Sequence, residues 1–111
     1  MDITEIRITL RNEEKLRAFA NVTFDNAFVV RGLKVINGRK GFFISMPSRR
    51  RKDGTHHDIA HPINNNTRKV IEDAVLVAYE KEVKYREENP SAPRNDEQEV
   101  FEQQSDDIDY Q

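Results

Sequence analysis

Three groups of side chains in this sequence have types and spacings that could do chemistry. The first is His56-His57-Asp58, followed by His61. His57 and His61 have the i, i+4 spacing of a helical metal pair, which needs both imidazoles on one helix face. Pro62 and the extended local pattern oppose a helix there, and a third ligand would have to be Asp58 or a distant group. The plainer reading has His61 hydrogen-bonding loop backbone, with His56 and His57 in solvent or against a partner. No metal and no cofactor is expected. The chain also lacks a G-x-S-x-G elbow, a P-loop lysine motif and any cysteine nucleophile, so an enzyme is not expected either.

The second group is the run Arg49, Arg50, Arg51 and Lys52, followed by the turn pair Asp53-Gly54. Binding a phosphate needs cations that reach out from a scaffold, and arginine offers a bidentate fork to phosphate or to a guanine edge. The run is expected in a loop. The third group supports it from two places: Arg68 and Lys69 at a helix start, where backbone N–H groups also favour anions, and Arg39 and Lys40 at a hairpin tip. Together these eight cations point to nucleic acid. The alternative is a charged loop that is merely solvated. Aromatic residues add little: Phe42-Phe43 reads as one core ring and one ring on the sheet's other face. Base stacking by Phe43 is the weaker reading, and Phe19 with Phe43 would equally mark a dimer surface.

Charge is segregated along the 111 residues. Residues 31–69 hold ten bases and two acids, whereas residues 89–111 hold one base and seven acids, so the overall charge of -2 describes neither part. A basic middle and an acidic end raise the question of a polyanionic partner. No apolar run approaches the roughly 20 residues that span a bilayer, and Met1 to Glu5 lacks the basic start of a signal peptide. A cytoplasmic protein without membrane contact is expected.

The elements that must position these groups are legible from periodicity. Ile6, Ile8 and Leu10 alternate with Arg7 and Thr9, and Leu16, Ala18, Ala20, Val22 and Phe24 alternate with Arg17, Asn21 and Thr23, which predicts two strands joined by a polar loop. Asp25-Asn26 marks a turn. In the third segment the apolar phase slips around Gly32, which predicts a bulge. Asn37-Gly38 is the clearest hairpin signal, and Phe42 to Met46 is the fourth strand, ended by Pro47. A short extended piece, His57 to Ala60, follows. Any of Asn64, Asn65 or Asn66 could cap a helix whose stripe is Val70, Ile71, Ala74, Val75, Ala78 and Tyr79. The fold class is α+β: a small antiparallel sheet of four to five strands covered by one C-terminal amphipathic helix. Residues 1–88 form the domain. Residues 89–111, opened by Pro90 and Pro93 and then acidic and Gln-rich, are expected to be a disordered tail. Its acids could compete with nucleic acid for the basic segment or simply solvate the protein.

The string Met46-Pro47-Ser48-Arg49-Arg50, then Asp53-Gly54, Asp58-Ile59-Ala60-His61-Pro62-Ile63-Asn64 and Thr67-Arg68, resembles the stage V sporulation protein G (SpoVG) family. Ile3-Thr4-Glu5-Ile6-Arg7, Thr23-Phe24-Asp25-Asn26, Phe28-Val29-Val30 and Asp73-Ala74-Val75-Leu76 with Tyr79 extend the resemblance over residues 1–85. It implies a bacterial, cytoplasmic regulator of gene expression, septation or sporulation. It further implies a homodimer through the β-sheet that binds double-stranded DNA, with RNA as a further ligand. The family's basic pair falls on Arg49 and Arg50, and its helix-start arginine on Arg68. Arg51 and Lys52 stand where members often have an uncharged residue and a proline, and His57 where an arginine is common. The competing expectation is a protein-interaction module of the division septum with no direct nucleic-acid role.

Overall fold

The computed structural model describes residues 1–11 and 13–91. The elements run β1 (Ile3–Leu10), β2 (Leu16–Phe24), β3 (Phe28–Gly38), β4 (Gly41–Ser45), β5 (Ser48–Arg50), β6 (His56–Asp58) and α1 (Asn65–Glu88). The first four strands form an antiparallel sheet in the order β1-β2-β3-β4, and β5 pairs with β6 in a separate two-stranded sheet. The α+β expectation holds, with the strands divided between two sheets. Most of the expected acidic tail, from Ala92 onward, lies outside the described residues.

Period-two alternation decides which face is covered. Ile8, Ala20 and Leu33 are in register, as are Leu10, Ala18, Val35 and Ile44, and all point to the helix side. There they pack with Ile71, Val75 and Tyr79, one turn apart on α1. Val70, expected in this stripe, is instead half exposed, and Leu76 packs against the core in its stead. The other face of the sheet carries Thr9, Phe19, Lys34, Ile36, Phe43 and Ser45, and no helix covers it among the described residues.

The predicted bulge is present. Ala20 faces Leu33 and Val22 faces Val30, so one residue of β2 lies opposite two of β3. Gly32 takes φ 83°, and the buried Asn21 Oδ1 accepts its N–H at 3.2 Å. Only a residue without Cβ reaches that angle cheaply, and only a polar side chain satisfies the N–H the bulge frees.

Two local readings need correction. Asn37-Gly38 is not the turn: Asn37 pairs with Phe42 and Gly38 with Gly41, so Arg39-Lys40 closes the hairpin and Gly41 takes the positive φ of 119°. Nor is the basic run wholly in a loop. Ser48–Arg50 forms β5, and only residues 51–55 lie outside the strands, with Lys52 and Asp53 in the turn. His56–Asp58 supplies the partner strand, starting one residue earlier than the extended piece read from the sequence.

Candidate nucleic-acid interface

The β5–β6 hairpin departs from the end of β4 and returns to the start of α1. Ser48 is opposite Asp58, Arg49 opposite His57 and Arg50 opposite His56. The amide of Ile59 donates to the carbonyl of Pro47 at 2.7 Å, closing the base of the hairpin. At the tip, Arg51 N–H donates to Thr55 O at 2.8 Å and Gly54 N–H to Arg51 O at 3.0 Å, with Gly54 at φ 89°. A glycine is needed there for the left-handed step that closes the turn.

The one acid of the tip is engaged inside its own turn. Asp53 Oδ1 accepts the Thr55 hydroxyl at 2.6 Å and the Thr55 amide at 3.0 Å. The hydroxyl, and then the amide, hold the Asp53 carboxyl below the ordinary carboxylate range. Because the hydroxyl proton is directed at Asp53, His57 Nε2, 3.2 Å from the same oxygen, acts as a donor to it. Asp53 thus rigidifies the tip instead of pairing with the arginines. Arg49, Arg50, Arg51 and Lys52 are all exposed, and among the described residues none of them has a carboxylate at salt-bridge distance. Together with His57 and Asp58 they border one open concavity.

The eight cations singled out in the sequence divide in space. Thr67 at the start of α1 lines one apolar pocket with Met46, Ala60 and His61, so the helix start lies at the hairpin end of the domain. Arg68, half-buried, and Lys69, exposed and 3.5 Å from Asp73, are therefore at the same end as Arg49 to Lys52. The helix start has no acid in its first turn. Asn64 is its cap: its Oδ1 accepts the Thr67 amide at 2.7 Å. Arg39 and Lys40 are not part of this assembly. They occupy the turn before β4, while the hairpin follows β4, so about 17 Å of strand separates them. The helix runs the same way, since Tyr79, near its middle, meets Phe42 beside the β3–β4 turn edge-on at 5.6 Å.

The histidine cluster is dispersed. His56 and His57 lie on β6, and His61 lies beyond it in an irregular segment, where its Nδ1 is 3.0 Å from Pro62 O. That contact is the loop-backbone bond expected of it. Among the described residues no three His, Asp or Glu side chains are grouped to hold a metal ion, and no helix is long and apolar enough to cross a membrane.

Known proteins are similar to this chain in sequence. The SpoVG family model matches residues 1–81. A protein of Bdellovibrio bacteriovorus is 54% identical over 84 residues, covering 76% of this chain and 78% of its own. One from Anaeromyxobacter sp. strain K is 54% identical over 84 residues, covering 76% and 83%. One from Clostridium acetobutylicum is 54% identical over 89 residues, covering 79% and 93%. Each carries the name "Putative septation protein SpoVG".

Proposed function

The chain belongs to the SpoVG family, and from that premise we propose that it is a nucleic-acid-binding regulatory protein acting in septation or sporulation, with the β5–β6 hairpin as its phosphate-binding element. One observation carries the reading: four adjacent cations stand exposed on a hairpin whose only turn acid is already engaged by Thr55. Cations held in solvent without a carboxylate partner bind phosphate without first breaking an ion pair, and they release counterions from the polyanion when they do. Arg68 and Lys69 add positive potential at the same end. The ligand is double-stranded DNA, with RNA as the second candidate.

The protein acts as a homodimer joined through its sheet. The support is the outer edge of β1, which among the described residues pairs only with β2 and lies beside the exposed Val70 and Val77 of α1 across a shallow groove. An unprotected edge strand flanked by apolar side chains favours strand addition. Two-fold symmetry would then present two basic hairpins to one duplex. The same edge supports a second reading, in which it receives a septum protein and the hairpin has no direct nucleic-acid role.

A salt titration of the full chain against double-stranded DNA, single-stranded DNA and RNA tests the proposal. Duplex affinity should fall steeply with salt, and replacing Arg49, Arg50, Arg51 and Lys52 by serine should lower the log–log slope by about 0.9 for each phosphate no longer neutralised. Equal binding by that variant would remove the hairpin from the interface. Salt-insensitive or absent binding would favour the septum-partner reading.

A further inference from the structure

Arg39 and Lys40 lie too far from the basic hairpin to serve the same contact, yet they have a neighbour of their own. Phe43 is on the uncovered face of the sheet, 49% exposed, directly opposite Ile36. Its ring leans toward the β3–β4 turn and lies over Gly38: a Cβ built at Gly38 would stand 2.9 Å from Phe43 Cε1 and 3.1 Å from Cδ1. The missing side chain therefore lets the ring settle against backbone beside Arg39 and Lys40. A ring so placed is restrained before anything binds, which lowers the ordering cost of a contact.

Two further rings are near, and both are already engaged. Phe42 points to the helix side and meets Tyr79 edge-on. Phe19, on the same open face as Phe43, has the guanidinium of Arg11 at 5.5 Å from its ring centre. Phe43 has no such cover among the ring contacts of the described residues. Among the described residues Arg39 and Lys40 have no carboxylate at salt-bridge distance, and Lys34 shares the open face with Phe43. The β1–β2 loop reaches the same end, where the Lys15 carbonyl accepts the Asn37 amide at 2.8 Å, but Glu13 of that loop is paired with Arg11 at 3.4 Å. An exposed aromatic ring beside cations that make no ion pair suits a ligand that brings unpaired bases together with phosphates. In a duplex the base faces are stacked and out of reach, so the ligand is single-stranded.

We infer that the β3–β4 end of the open sheet face is a second nucleic-acid contact, specific for single strands, in which a base stacks on Phe43 while adjacent phosphates meet Arg39 and Lys40. It goes beyond the duplex reading of the hairpin and uses none of its residues.

The test uses the full chain and a single-stranded oligodeoxynucleotide carrying 2-aminopurine, whose fluorescence is quenched on stacking. The wild-type chain should quench it. Phe43→Leu should abolish the quenching and weaken single-strand binding roughly 5- to 150-fold, the range for removal of one base stack. Phe43→Trp should restore both, and duplex affinity and thermal stability should not change in either variant. The Arg49–Lys52 serine variant should lose duplex binding but keep the quenching. Unchanged quenching and affinity in Phe43→Leu would overturn the inference and leave the hairpin reading intact. A changed sedimentation coefficient of free Phe43→Leu, with single-strand binding unaltered, would overturn it in favour of a self-association surface. Absence of binding to either ligand at low salt would overturn both readings.

Discussion

Arg49 and His57 face each other across the two-stranded β5–β6 sheet, on the same side of its pleat. The register makes position 57 a neighbour of the proposed phosphate site. A permanent charge there is predicted to be felt in two opposing ways. His57→Arg adds a cation for phosphate, raising the log–log salt slope for duplex DNA by about 0.9. It also sets two guanidinium groups opposite each other, which costs the free hairpin about 0.2–1 kcal/mol. Salt titration separates the two, because only the first alters the slope. An unchanged slope would mean that phosphates do not approach this side of the hairpin.

Thr55→Val tests the turn that keeps Asp53 away from the arginines. Loss of the hydroxyl donor should move the Asp53 carboxyl back up toward the ordinary carboxylate range, measurable by NMR titration of its side-chain carbon. The sign of the linkage follows. A carboxyl held low in the folded state supports the turn above its unfolded value, and that support is lost as pH falls through the lowered folded value. The wild-type tip should therefore stay ordered to a lower pH than the variant tip.

Asn64→Ala should destabilise the domain by about 1 kcal/mol, since the Thr67 amide would lose its acceptor. Asn65→Ala and Asn66→Ala should be close to neutral. Thermal denaturation distinguishes the three, because 1 kcal/mol shifts the midpoint of a domain this size by about 4–8 °C. Equal effects at all three positions would contradict the capping geometry.

Asn21→Ala should cost about 1–3 kcal/mol despite removing a polar group from a buried site. The Gly32 N–H would be left without its side-chain acceptor at the bulge. In urea the midpoint should fall while the slope of the transition stays constant, as expected when no new surface is exposed. A neutral result would mean that water replaces the amide oxygen.

Much of the main sheet was legible because its strands alternate cleanly, and the bulge because Gly32 sits where the apolar phase slips. The misread turn has a local cause. Asn37-Gly38 is a strong turn pair, but the Asn37–Phe42 and Gly38–Gly41 pairings continue the ladder past it, and Gly41 supplies the unusual φ further on. The short strand Ser48–Arg50 gave no signal, since all of its side chains are polar and strand recognition from sequence relies on apolar alternation. The basic run itself was plain. Its separation from Arg39 and Lys40 was not, because that depends on the direction in which β4 carries the chain. Phe43 was placed on the open face, but its restraint by Gly38 depends on a diagonal across two strands.

Among the described residues the hairpin shares no ladder with the main sheet, and the amide-to-carbonyl bond from Ile59 to Pro47 closes its base. None of residues 48–58 is buried, so few packed groups resist its opening. Its amides should exchange with solvent by local opening, at rates indifferent to changes in the Val75 or Leu33 core. Mutational drift can accordingly retune the charge of residues 49–57 with almost no tax on folding, so new ligand preferences are accessible here by single substitutions that the rest of the domain does not register.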